Sequence, residues 1–200
     1  FSLLHQVYRV EEPRMHVFER TIVDDFDHAF LISDVDRQYL FGDNPARLER
    51  THVVTNGVDV GQFAFQFAPH GTDLVFIGNM TTLPNRDAVL YLGEQILPLV
   101  RQAHPATVLR VIGRIGAQDR AALAHLPHVR IMGEVDSVAD AARGAGAGVC
   151  PMRLGSGVQN KLLEYMALGL PAVSTSIGLE GVQARPGAEL ELADDPLDFA

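Results

Sequence analysis

The feature that most constrains this chain is the alternation that begins at Asp73. Short apolar segments at Leu74–Ile77, Thr107–Ile112, Val129–Met132, Ala147–Cys150, Ala172–Ser174 and Glu189–Leu192 take turns with helical stretches at Pro84–His104, Ala117–His125, Ser137–Arg143 and Gly157–Leu168. No hairpin signal separates the apolar segments, so they are expected to run parallel in one sheet covered on both faces. Right-handed crossovers then make the sheet doubly wound, a Rossmann-like α/β fold. At 47% hydrophobic and 20% charged, the 200 residues describe a packed protein, not a disordered one.

Before Asp73 the pattern is different. Met15, Phe18, Ile22, Phe26 and Ala29 lie three and four residues apart, which predicts an amphipathic helix over Pro13–Phe30. A short strand at Ala29–Ser33 follows, and Ser33 opens a second helix, with Asp34 and Asp36 in its first turn, that ends near Gly42. His52–Thr55 reads as a strand, and Asn56–Asp59 as a tight turn. One helix-strand-helix unit and one strand are too little to bury a core. Residues 1–55 are therefore expected to be the remnant of a preceding domain, 56–72 a linker, and 73–200 a ligand-binding domain. Both ends look cut, so the native protein is expected to be longer, and targeting information to have been lost with the ends.

The charge balance excludes some partners. Sixteen Lys and Arg stand against 25 Asp and Glu, a net charge of −9, so no general basic field exists to hold nucleic acid. Any anion site must be built locally. Cys150 is the single cysteine, which rules out an internal disulfide and a cysteine-based zinc site and fits a reducing compartment. The eight histidines show no ligand spacing, and His125 and His128 flank Pro127, so no structural metal is expected. Apolar runs such as Leu74–Ile77 are far too short to span a bilayer.

In an open parallel sheet the ligand lies beyond the carboxyl ends of the strands, so the loops there are the candidate site. Gly78-Asn79-Met80 follows the first strand of the alternation, Gly113-Arg114 the second, and Gly133-Glu134-Val135 the third. The fourth loop, Pro151 to Lys161, is the most informative: Gly155, Ser156 and Gly157 stand where strand gives way to helix, and free N–H groups there attract phosphate. On the helix that follows, Asn160, Lys161 and Glu164 share one face, while Val158, Leu162, Tyr165 and Met166 share the opposite one. The polar face is expected to meet the crevice or solvent. Lys161 suits a diphosphate and Glu164 a vicinal diol. An ordinary Lys-Glu surface pair at i, i+3 accounts for the spacing equally well.

The run Gly155-Ser-Gly-Val-Gln-Asn-Lys-Leu-Leu-Glu-Tyr-Met-Ala-Leu-Gly-Leu-Pro-Ala-Val-Ser resembles the nucleotide-sugar motif of the retaining GT-B glycosyltransferases, glycosyltransferase group 1, the glycogen-synthase-like group. Val53–Asp59 is similar to the segment that joins that family's two domains. The Gly-Val-Gln-Asn-Lys variant, with Gly78-Asn-Met and Pro84-Asn85 upstream, is most similar to bacterial transferases that build exopolysaccharide. The resemblance implies a nucleoside-diphosphate-sugar donor domain. It assigns nucleotide and phosphate binding to Gly78, Asn79, Arg114, Gly155, Ser156, Gly157, Val158 and Lys161. Glu164 is assigned to the ribose, and Gly133, Glu134 and Val135 to the base side. No cofactor or catalytic metal is implied, and catalytic residues stay unassigned. The acceptor would be a glycan or lipid-linked molecule, held by a facing domain. The enzyme would be cytoplasmic, at the inner face of the membrane, and this chain alone would bind donor without turning it over.

The departures from the family pattern carry expectations of their own. Ser156 stands where the first of two glutamates is usual, Asn79 at a phosphate-binding arginine's place, and Pro84 about where a lysine would be. Lys161, assisted by Arg114 or Arg153, is expected to supply the missing charge. Other classes fit less well. No Gly-x-Gly-x-x-Gly follows the first strand of the alternation, as a nicotinamide-linked oxidoreductase would need, and Gly113, Gly116 and Glu134 imitate it only in part. A sugar-nucleotide epimerase and a non-catalytic nucleotide-sugar-binding module remain as alternatives.

Overall fold

The computed structural model describes residues 3–68, 70–155 and 157–200. The chain divides into two compact units, Phe1–Asn56 and Gly57–Ala200. None of its described helices is long and apolar enough to cross a membrane.

In the first unit, α1 (Leu3–Ile22) begins well before Pro13, which lies inside it. The expected stripe is not covered within this unit: Met15, Phe18 and Phe26 are each about half exposed or more. A short strand β1 (Ala29–Leu31) is followed by α2 (Asp34–Phe41), α3 (Pro45–Arg50) and β2 (Thr51–Val53). Ser33 caps α2 by accepting from the Asp36 N–H, as its position suggested. The helix α3 has no apolar period; Asn44 caps it and Pro45 starts it. β1 and β2 pair in parallel.

The second unit holds a six-stranded, wholly parallel sheet. Its strands are β3 (Leu74–Ile77), β4 (Leu109–Ile112), β5 (Val129–Gly133), β6 (Ala147–Cys150), β7 (Ala172–Ser174) and β8 (Glu191–Leu192), in the order β5-β4-β3-β6-β7-β8. Successive residues of a strand point to opposite faces, and Val75 and Phe76 are both fully buried, so helices cover both faces. The crossovers are α4 (Leu83–Tyr91) with α5 (Leu97–Ala103), α6 (Ala117–Leu123), α7 (Val138–Ala142), α8 (Asn160–Leu168) and α9 (Ser176–Leu179); α10 (Pro196–Phe199) follows β8. The expected single helix at Pro84–His104 is interrupted by a π turn at Leu92–Ile96. Pro98 cannot donate to the carbonyl four residues back, and the wider turn before it absorbs that defect.

The stretch expected to be a free linker packs on the second unit. The Gln66 N–H donates to the Leu168 carbonyl at 2.9 Å, and the Phe65 ring lies where a Cβ on Gly169 would stand. Its lack of period reflects extended chain held by a few contacts.

Candidate active site

Strand order reverses between β3 and β6, and an open α/β sheet opens its crevice at such a reversal. Two features widen it here. β3 and β6 stay in register only through Leu74–Ala147 and Val75–Gly148. Beyond that point the buried Tyr165 hydroxyl accepts from the Ile77 N–H at 3.0 Å and donates to the Val149 carbonyl at 3.1 Å. A side chain thus replaces a rung of the ladder, and the strands part toward their carboxyl ends. Gly148 makes room, because a Cβ there would come within 2.3 Å of the Tyr165 ring.

The loops beyond β3, β4 and β5 interlock through Gly78 and Gly133, expected at the phosphate and the base, and through Gly113 between them. The Gly78 N–H donates to Ile112 at 2.9 Å, and the Gly113 N–H to Gly133 at 2.8 Å. A Cβ on Gly113, whose φ is +125°, would lie 2.1 Å from the Gly78 carbonyl oxygen. Close backbone approach accounts for glycine at 113 without any ligand. Asn79 is engaged in its own turn, its Oδ1 accepting from the Thr81 N–H and hydroxyl at 3.1 and 2.8 Å. Glu134 pairs with Arg114 at 3.5 Å, both exposed, while Val135 packs against the core. Arg153, expected to assist at the phosphate, is instead held by both Asp87 oxygens at 2.7 and 3.1 Å and stacks 4.2 Å over the Tyr91 ring. It anchors the loop after β6 to α4.

That loop runs further than the sequence suggested. Helix α8 starts at Asn160, not Gly157, and Gln159 is its N-cap. Gly155 and Gly157 adopt φ values of +105° and +84°, which a side chain at either position would strain. Val158 is half-buried in the same loop. Ser156 lies outside the described residues.

Of the two environments its helical face allowed, crevice or solvent, Lys161 is not in solvent. It is 7% exposed, with its ammonium 5.1 Å from the centre of the Phe76 ring. Nζ donates to Asn85 Oδ1 at 3.1 Å and Gln159 Oε1 at 2.8 Å, and sits 3.8 Å from the Met152 sulfur. Burial pulls its pKa down. One turn along α8, burial pushes the Glu164 carboxyl up, with Lys161 opposing the shift. Glu164 Oε2 is buried and, among the described residues, has no hydrogen-bond partner. Among the described residues the switch point therefore holds a buried cation hydrogen-bonded by neutral groups and an acceptor oxygen left open. A groove of about 320 Å³ beside Leu97, Arg101 and His128 opens before β5 begins, at the opposite end of the sheet.

Asn85, Gln159 and Met152 were not singled out as site residues by sequence pattern: Asn85 and Met152 reach Lys161 from α4 and the loop after β6, and Gln159 meets it from the N-cap of α8 itself. A signal for Tyr165 did exist: a hydroxyl on an otherwise apolar helical face needs a partner when buried.

A doubly wound parallel sheet with a buried lysine beside its switch point is a Rossmann-like α/β domain, the class whose ligand crevice lies beyond the strand ends. Residues 71–200 match the family model described as glycosyl transferases group 1, and the chain belongs to that family. Solved structures share its fold. HepE of Anabaena, solved with UDP and glucose, aligns at a TM-score of 0.65 and 13% identity over 92% of this chain and 55% of its own. TarM of S. aureus aligns at 0.70 and 14%, over 92% of this chain and 36% of TarM. The UDP-forming α,α-trehalose-phosphate synthase of Burkholderia xenovorans aligns at 0.65 and 14%, over 94% and 54%. The chain thus spans about half or less of the length of these proteins. No curated protein sequence matches it.

Proposed function

We propose that this chain holds the nucleoside-diphosphate-sugar donor of a retaining glycosyl transfer to a glycan or lipid-linked acceptor, in the synthesis of exopolysaccharide or a related cell-surface polymer. The observation that carries the reading is Lys161: a buried ammonium at the switch point whose hydrogen-bond partners among the described residues are neutral, with Glu164 attracting it from one turn along α8 but forming no ion pair with it. Burying a cation without a counter-ion in contact is costly, and an arriving diphosphate supplies one. As the glycosidic bond breaks, negative charge grows on that diphosphate, and a fixed ammonium in a dry site stabilises it most at that stage. The open oxygen of Glu164 would accept from ribose hydroxyls. Support for UDP as the first probe comes from the relatives solved with UDP or UDP-glucose. The test is calorimetric titration with UDP, GDP and ADP, then with UDP against Lys161→Met. One of the three should bind, and with UDP the variant should lose at least about tenfold in affinity, roughly 1.4 kcal/mol. Because a buried charge is replaced by an apolar chain of similar length, Lys161→Met should unfold no more easily than the parent, and up to about 1 kcal/mol less easily. Unchanged affinity would remove Lys161 from the site.

A further inference from the structure

Asn85 is the residue that joins the two sides of the crevice. Its amide nitrogen donates to the Asn79 carbonyl at 3.1 Å and to the Thr82 hydroxyl at 3.2 Å, both in the loop after β3. Its carbonyl oxygen accepts from Lys161 Nζ at 3.1 Å, across the crevice on α8. The amide can orient only one way, because the two donor contacts face acceptors and the third faces an ammonium. Gly78 seats it: a Cβ there would come within 3.0 to 3.1 Å of the Asn85 amide atoms. Gly78 has no positive φ, and a side chain there would press on Asn85 and require its amide to shift by a few tenths of an ångström.

We propose that Asn85 is a positioning residue that sets the place of the Lys161 ammonium for the donor diphosphate. Lysine is a flexible point charge, and electrostatic stabilisation requires it to be held before the ligand arrives. A carboxylate at this position would hold it too, but would neutralise it; an amide holds it and leaves its charge for the diphosphate. The proposal rests on the donor-binding reading and concerns a residue that need not touch the donor.

The test is a double-mutant cycle on the full 200-residue chain with UDP as probe: Asn85→Leu, Lys161→Met and both together, with thermal unfolding as a check on folding. Asn85→Leu should weaken UDP binding about tenfold in the parent and have no further effect in the Lys161→Met background. Asn85→Ala, which adds no bulk, serves if the leucine variant does not fold, and Gly78→Ala should reproduce the loss by displacing the amide. Equal losses in both backgrounds would overturn the proposal by showing that Asn85 acts independently of Lys161. So would full UDP affinity in Asn85→Leu while Lys161→Met loses it, a result that leaves the donor-binding reading standing. Parent chain that binds none of the nucleoside diphosphates would overturn both.

Discussion

Glu164 is a carboxyl whose burial works against its charged form. Burial raises its carboxyl pKa, so the folded state favours the protonated form. That preference stabilises the fold fully below the unfolded-chain value of about 4.3 and is lost as pH rises through the raised folded value. Glu164→Gln cannot ionise, so its stability relative to the parent should rise as pH increases from the unfolded-chain carboxylate value through the raised folded value, with no gain at more acidic pH. Urea unfolding of both chains across that range measures it, and a flat difference would show that the carboxylate is satisfied in solution. The same substitution should weaken UDP binding. From spacing alone, Lys161 and Glu164 were indistinguishable from a solvated pair, because a helical wheel shows which residues share a face and not what lies opposite. The depth of Lys161 depends on Phe76, Asn85 and Met152, which reach it from β3, α4 and the loop after β6.

At the scale of elements, the crevice exists because one helix interrupts a sheet. Tyr165 of α8 takes the hydrogen bonds that would otherwise continue the β3–β6 ladder, and Gly148 admits its ring. Tyr165→Phe should keep the packing but leave a buried N–H and a buried carbonyl unpaired, costing about 1–3 kcal/mol. Chemical denaturation with an unchanged slope would register that loss. A cost near zero would mean that the strands can zip together when the hydroxyl is removed. The strand positions of this sheet were legible because each is a short apolar run between helical periods. The π turn, α9 and the late start of α8 were not. Each is set by a local backbone requirement, at Pro98, at the Thr175 cap that accepts from the Gly178 N–H, and at the two left-handed glycines before Gln159.

Across the whole chain, the two units differ in how much they bury. In Phe1–Asn56 the fully buried apolar side chains among the described residues are Val23 and Phe41, whereas Gly57–Ala200 contains a continuous core from Val75 to Phe199. Parallel strands with so little covering them open readily. Amide exchange at low protein concentration should therefore be faster in β1 and β2 than in β3, β4 and β6, where both faces are covered. Equal protection in a verified monomer would mean that the first unit is stabilised by interactions beyond its own core. The β1–β2 pairing lowers the expected contrast, since each of these strands has a partner on one edge.

What the sequence alone determined is the parallel α/β class, the positions of the strands and the loops beyond their carboxyl ends, because these follow from periodicity and glycine placement. The family resemblance, carried by the run from Gly155 to Ser174, pointed to the group that the family model then matched over residues 71–200. Only the tertiary structure decided which charged groups are available. Arg153 and Arg114, both candidates for the phosphate by position, each form an ion pair with a carboxylate, whereas Lys161 is hydrogen-bonded, among the described residues, by neutral groups. Side-chain charge is written in the sequence, but its counter-ions come from residues far away in the chain, and solvent exposure is a property of the packed whole.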